Sequence, residues 1–342
     1  MKEFTVTSAE SGQKCIKYCE KILPKAGTGF LHKMLRKKNI TLNGKKADGS
    51  ERLAGGDVVR FFFSDETFAS FAGVQKASGQ RTAKTSESDC RNQAVKKIPT
   101  LKKEHIIYED ENVLFYNKPV GMLSQKAKPD DVSLNEMLLA YLEQKQVQTD
   151  AVSKPSICNR LDRNTSGLVI CGKTYQGLRM MNERIAGRDI GKYYHCLVAG
   201  RVRAPILLKG YLRKDEKTNK VEIRQKEFSG ASYIETEIIP LATTKAVSLL
   251  EVHLITGKTH QIRSHLSSIG HPILGDHKYG DAKLNDRMRK KYGLKSQLLH
   301  AYRLEMPADV ELGNLSEKKF IAPKPELFTR IEKEEFHGNL EF

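Results

Sequence analysis

Asn159-Arg160-Leu161-Asp162-Arg163-Asn164-Thr165-Ser166-Gly167-Leu168-Val169-Ile170-Cys171 passes from a charged loop into an unbroken apolar run. Pro155 punctuates the chain upstream, so the polar residues read as a loop anchored on a strand over 167–171. A loop held by a rigid strand lets substrate reach a side chain whose position the scaffold fixes. Arg160 and Arg163 flank Asp162, and Thr165, Ser166 and Gly167 supply the turn that aims it. Taken alone, a single carboxylate in such a loop reads first as a structural ion pair.

Outward from this stretch, Val113–Tyr116, Tyr193–Val198, Ser232–Ile239 and Ser248–Ile255 carry strand signals. Ser133–Glu143 and Gln176–Ile185 have helical spacing of apolar residues. Strands outnumber helices and several follow one another without room for a crossover helix. That pattern predicts an α+β domain over 104–342 built on a mixed, mainly antiparallel sheet.

The front of the chain differs. Residues 1–63 hold 13 Lys and Arg against 6 Asp and Glu, while 105–342 hold 37 against 30. The same surplus is thus packed into about a quarter of the length, the mark of a polyanion-binding module on a milder body. Cys15–Leu23 and Phe30–Lys38 read as short helices, the second with Phe30, Leu31, Met34 and Leu35 inward and Lys33, Arg36, Lys37 and Lys38 outward. Ile40–Lys45 reads as a strand entering an Asn43-Gly44 turn, and Val58–Phe63 as another. Residues 64–103 are rich in Ser, Ala, Thr, Lys, Gln and Gly and are expected to form a flexible linker.

Composition excludes several classes. No apolar run approaches the roughly 20 residues that span a bilayer, and the first residues lack a signal-peptide core, so a cytoplasmic protein without membrane association is expected. The cysteines at 15, 19, 90, 158, 171 and 196 form no C-x-x-C pair and read as reduced thiols rather than metal ligands. No glycine-rich nucleotide loop is present, and neither a metal nor a nucleotide cofactor is expected.

The loop quoted above, R-L-D-R-N-T-S-G-L, resembles the signature of the RluA/RluC/RluD-type pseudouridine synthases. Four further stretches resemble that family in its order: Tyr108-Glu109-Asp110 with Asn117-Lys118-Pro119-Val120-Gly121, then Lys192–Gly200, Thr256–Arg263, and Gly270–Asp276. Helix, basic helix, I-T-L-N-G-K and G-G-D-V-V-R-F in the first 63 residues resemble an S4 RNA-binding domain. The resemblance implies a pseudouridine synthase fold preceded by a small α/β S4 domain. It also implies Asp162 as catalytic carboxylate, Tyr194 stacked on uracil and helping to remove the C5 proton, and Arg263 paired with Asp162. Arg160 would fill the space left by a flipped base. Asn159, Thr165 and Lys118 would shape the substrate cleft, and Lys33, Arg36, Lys37 and Lys38 would meet RNA phosphates. Asn159 stands where many members carry His, so that position cannot titrate near neutrality.

The chemistry agrees with these residue types. The N1–C1′ bond of uridine breaks, the uracil turns, and C5 joins the same sugar carbon with no net redox change. Positive character grows at C1′ as in glycoside cleavage, which a carboxylate can stabilise or trap. The expected partner is RNA, large-subunit ribosomal RNA before transfer RNA, with a monomer the simpler assembly. Two rivals stand beside this reading: a non-catalytic S4-type RNA-binding or ribosome-assembly factor, and a nucleosidase, which would call for a second carboxylate.

Overall fold

Strands buried on both faces must be apolar at every position, and the segment after Asp162 meets that demand. In the computed structural model, which describes residues 1–7, 10–72, 98–128, 130–145, 154–215 and 221–336, Ser166–Gly172 is a strand in which all seven residues are buried. Its alternate side chains enter different cores. Val169 and Cys171 pack with Leu114 and Tyr116, whereas Leu168 and Ile170 pack with Val113 and Phe115. The period-2 pleat therefore explains why neither stretch shows polar alternation.

The chain divides into two compact units: 1–97 with 148–155 and 174–176, and 98–147 with 156–173 and 177–342. The first begins with β1 (Lys2–Thr5), α1 (Cys15–Ile22), α2 (Thr28–Arg36), β2 (Ile40–Leu42), β3 (Lys45–Lys46), β4 (Val58–Phe61) and α3 (Asp65–Ala72). Its four strands run β1-β4-β2-β3, all antiparallel. Asn43 and Gly44 adopt φ of 50° and 72°, the two left-handed residues that a two-residue hairpin turn needs. Leu31, Met34 and Leu35 face the core of this unit, while Lys33, Arg36, Lys37 and Lys38 are exposed.

The first part of the stretch expected as a linker is helical instead. Asp65–Ala72 is the helix α3, because Phe68 and Phe71 find partners: Phe68 lies 5.9 Å from Phe4, and Phe71 4.8 Å from Phe30. Leu101 is already buried in the core of the second unit. Residues 73–97, Cys90 among them, lie outside the described residues.

The second unit contains β5 (Ile106–Glu109), β6 (Val113–Lys118), α4 (Leu134–Gln144), β7 (Ser156–Ile157), β8 (Ser166–Gly172) and, from Gly177 on, α5 (Tyr175–Gly187). After them come β9 (Gly191–Ala199), β10 (Ile206–Lys214), β11 (Val221–Arg224), β12 (Ser232–Thr243), β13 (Val247–Leu254) and α6 (Gln261–Ser268). It ends with α7 (Ala282–Tyr292), β14 (Leu299–Glu305), β15 (Lys319–Ile321) and α8 (Glu326–Phe336). The sheet order is β11-β10-β12-β13-β9-β14-β8-β6-β5, with β15 added to β14 and β7 to β8. Every pairing is antiparallel except β14 with β8. The mixed, mainly antiparallel sheet is as expected. Helix α4 starts at a Ser133/Glu136 capping box and buries Leu134, Leu138 and Leu142 against the same core as α6. No helix among the described residues is long and apolar enough to cross a membrane.

The single parallel seam places the loop that carries Asp162. There His300 lies opposite Ser166 and Ala301 opposite Gly167. Gly167 has φ of +111°, and a Cβ added to it would fall 2.2 Å from the Ala301 carbonyl oxygen. Gly167→Ala should therefore lower stability on the order of 3–5 kcal/mol, by strain at φ and by forcing β8 from β14. Gly29→Ala is the contrasting change. It sits in α2 with nothing within 4 Å of the added carbon, and should be neutral or stabilising by up to ~1 kcal/mol. Differential scanning calorimetry of both variants checks the pair. A Gly167→Ala protein that melts with the wild type would refute the close-approach argument.

Candidate active site

The loop 158–165 leaves β7 and re-enters the sheet at β8, and three neighbours clamp it from below. Ser124 Oγ donates to the Leu161 carbonyl at 2.8 Å and accepts from the Leu161 N–H at 3.1 Å. Gly121 N–H donates to the Arg163 carbonyl at 2.9 Å, and Arg163 Nε donates back to the Gly121 carbonyl at 3.1 Å. Lys118 completes the clamp. Its side chain is fully buried, and Nζ donates to the carbonyls of Pro119, Met122 and Arg163 at 3.1, 2.9 and 3.2 Å. Thr165 N–H closes the turn onto the Asp162 carbonyl at 3.0 Å.

Asp162 is thereby presented half-buried at a cleft of about 820 Å³. Its Oδ2 accepts from Arg263 Nη1 at 2.7 Å, while Oδ1 accepts no hydrogen bond from a described residue. Arg263 in turn binds Asp276 with its other edge, Nε to Oδ2 at 2.6 Å and Nη2 to Oδ1 at 2.9 Å. A guanidinium fork with one edge on each carboxylate fixes both angle and distance, which a lysine ammonium cannot do. Burial alone would lower the Arg263 guanidinium. Asp276 and Asp162 outweigh it and hold the group charged above its usual range. Burial would likewise raise the Asp276 carboxyl, but Arg263 and the backbone N–H groups of Lys278 and Tyr279 keep it low.

Helix α6 supplies Arg263 and is buried at six consecutive positions, Gln261 to Leu266. Its polar side chains are satisfied one by one, as burial requires. Gln261 accepts from Thr256 Oγ1 and Lys258 N–H and donates to the Glu235 carbonyl and to Thr236 Oγ1. His265 Nδ1 lies 2.9 Å from Thr236 Oγ1. The helix starts at His260, which adopts φ of 56° and places Nε2 3.9 Å from Asp162 Oδ2 and Nδ1 3.0 Å from the Tyr279 hydroxyl. Burial lowers the His260 imidazole, with Asp162 opposing and Arg263 and Lys278 reinforcing that shift.

Tyr194, on β9 between Ala301 and Val252, lines the same cleft. Burial, and then the Asp162 carboxylate, push its phenol well above the usual range. It offers a ring face and an O–H near neutrality rather than a phenolate.

The structure brings Asp162, Tyr194, Arg263, Arg160, Asn159 and Thr165 to one cleft. It separates their duties in ways the residue types alone do not reveal. Arg160 and Arg163 are exposed, and the Asp162 ion pair is made instead with Arg263, with the His260 ring nearby at 3.9 Å. Asn159 is a brace whose Oδ1 accepts from the Ile170 N–H at 2.8 Å. Thr165 is buried, its hydroxyl 3.3 Å from Gln297 Nε2. Lys118, expected at the cleft wall, lies beneath the loop instead, because three carbonyls there satisfy its three N–H groups. Asp276 and His260 stood in the quoted stretches without a role. The signal for Asp276 was a carboxylate closing an otherwise apolar turn, G-H-P-I-L-G-D.

Burial pushes the Lys118 ammonium down to about 7, with Asp162 opposing. A lysine lowered in the native state leaves the unfolded chain holding more protons between pH ~7 and ~10.4, so stability from this group rises with pH across that window. Lys118→Met should destabilise by on the order of 2–3 kcal/mol at pH 7 by stripping three buried carbonyls of donors. The gap between wild type and variant should widen toward pH 9.5. Urea midpoints at both pH values measure it, and a gap that narrows would contradict the assignment.

Comparison with known proteins places these groups. The family model for RNA pseudouridylate synthases matches residues 112–268, which include the Asp162 loop, Tyr194 and Arg263. An uncharacterised RNA pseudouridine synthase of Mycoplasma genitalium is 31% identical, with 89% of each chain covered. Ribosomal large subunit pseudouridine synthase C of Rickettsia bellii is 30% identical over 78% of this chain and 83% of its own. Among solved structures, human RNA pseudouridylate synthase domain containing 4 shares the fold with a TM-score of 0.55 at 24% identity, covering 70% of this chain and 94% of that one. Relatives aligned along almost the whole length, and a family match across the loop, strand and helix that form the cleft, lead to one assignment: the chain belongs to the RNA pseudouridine synthase family.

Proposed function

We propose that this synthase isomerises specific uridines of large-subunit ribosomal RNA, with Asp162 as the catalytic carboxylate. The observation that carries the reading is the unequal state of the two Asp162 oxygens. Arg263 holds Oδ2, and Oδ1 is left to the cleft beside Tyr194. A carboxylate fixed at one oxygen and open at the other is suited to stabilise or trap the positive character that grows at C1′ as N1 departs. Tyr194 supplies a face for the uracil while it turns. The detached uracil stays held in the cleft; when C5 bonds to C1′ the C5 proton leaves to water and N1 takes one up, so no atom is lost overall.

Substrate choice rests on two supports. Relatives similar to this chain, including ribosomal large subunit pseudouridine synthase D of Borreliella burgdorferi at 34% identity over 65% of this chain, carry large-subunit names. The basic first unit exposes Lys33, Arg36, Lys37 and Lys38 along one side of α2 and just past it, as an S4-like module would to meet phosphates. The enzyme would work as a monomer in the cytoplasm, on RNA whose target base is flipped into the cleft.

Tritium release from RNA labelled at uracil C5 tests this, using ribosomal and transfer RNA pools from cells lacking the enzyme. Wild type should release tritium from the ribosomal pool without free uracil, and Asp162→Asn should lose about 10³-fold or more. Release from transfer RNA alone would transfer the assignment to that substrate. Tight RNA binding with no release from either pool would favour the non-catalytic binding factor.

A further inference from the structure

Lys192 stands on β9 two residues before Tyr194, so both side chains leave the same face of the strand, roughly 7 Å apart along it. It lines the cleft and is 8% exposed. Lysine is almost never this buried unless its charge is paired. Yet among the described residues its ammonium has neither a hydrogen-bond nor an ion-pair partner, in contrast to Lys118, which has three carbonyls, and Lys173, which has Glu109 at 2.8 Å. The charged neighbour that bears on it is a second cation. Burial and then Arg188 both push the Lys192 ammonium below its usual range, with no carboxylate to offset them.

We propose that Lys192 is a phosphate site of the cleft, its ammonium taking a phosphodiester of the RNA strand that carries the target uridine. The inference rests on RNA being the substrate. Lys192 in the cleft and the exposed Arg188 repel each other with no carboxylate to offset them, and an anion from outside relieves that repulsion. A uracil carbonyl could accept a hydrogen bond from Lys192 but would leave the repulsion with Arg188 in place. A phosphodiester carries a negative charge that attracts both cations and so counters their repulsion. Because Lys192 shares the face of β9 with Tyr194, the phosphate it takes belongs to the nucleotide at the reacting base or the one beside it. Lys192 is then a positioning residue, which seats the strand so that C1′ meets Asp162.

The test compares wild type with Lys192→Met, which keeps the aliphatic stem, Lys192→Arg, which keeps the charge, and Lys319→Met, which removes an exposed charge on β15. Tritium release from C5-labelled ribosomal RNA is followed from about 50 to 200 mM KCl, and calorimetry checks that each variant folds. Lys192→Met should raise KM about tenfold or more with kcat much less affected. Its plot of log(kcat/KM) against log[KCl] should be shallower by about 0.7, the share of one phosphate on a single strand. Lys192→Arg should recover most of both, and Lys319→Met should match wild type. Loss confined to kcat with an unchanged salt slope, or a Lys192→Met enzyme equal to wild type, would overturn the site. Should wild type release no tritium, the functional reading fails separately. The salt slope of binding to fluorescein-labelled ribosomal RNA fragments then decides the phosphate site by the same criterion.

Discussion

Arg263 is the charge on which the catalytic unit is arranged. It is buried between two carboxylates, and an unpaired buried guanidinium would be costly enough to reshape its surroundings. Asp276 receives two of its N–H groups and is itself fully buried, so the turn 275–279 must close over the pair. Asp162 receives a third N–H and remains open on its other oxygen. The Asp276 pairing fixes the guanidinium, and the guanidinium then fixes Asp162. The bent start of α6 at His260 and the latch of Gln261 onto Thr256, Glu235 and Thr236 follow from the need to hold that helix inward along its whole polar side.

The sheet supplies the other half of the constraint. Its only parallel pairing among the described residues, β14 with β8, lets Ser166 and His300 meet at 2.8 Å and brings Gly167 against the Ala301 backbone. The loop before β8 therefore runs into a seam that tolerates no side chain, and Leu161 and Arg163 on either side of Asp162 are clamped by Ser124, Gly121 and Lys118. A carboxylate placed by backbone clamps and a two-point guanidinium needs little reorganisation when charge develops beside it, which is the condition for electrostatic preorganisation. The same rigidity separates Lys118 from substrate: its three N–H groups are spent on carbonyls that shape the loop.

How far the chain could be read in advance depended on whether each element's reason is local. β8 was legible because double burial demands an apolar run, and α2 because Leu31, Met34 and Leu35 recur at helical spacing. β10 was not, since Gly210 interrupts its inward side, the exposed Leu207 blurs the alternation, and its place is set by pairing with β12 at separations of 20 to 32 residues. β14 was missed for a similar reason: its neighbours β9 and β8 lie far back in the chain. Asp162, Tyr194 and Arg263 were singled out through motif resemblance, but Arg263 looks like a solvated helix arginine from its neighbours alone. Only the long-range partners Asp162 and Asp276 make its burial possible. Lys192 is the converse case, a lysine whose setting in Lys192–Gly200 carries no local sign that its charge would be left without a partner.

Charge also bears on the choice between isomerase and hydrolase chemistry. Among the described residues that line the cleft, Asp162 is the one carboxylate, and it is accompanied by Arg160, Arg163, Lys192, Lys214, Lys258 and Arg263. Most glycoside hydrolysis divides its labour between two carboxyl groups, one to protonate the leaving group and one to activate water or attack the sugar. A lone carboxylate among six cations lacks the partner for the second task. In the proposed reaction these cations would favour a polyanionic strand and steady the negative charge of a departing uracil, which must stay bound rather than leave. Retaining the base is what distinguishes isomerisation from hydrolysis. A cleft rich in hydrogen-bond donors and with a single carboxylate among its described lining residues suits that retention.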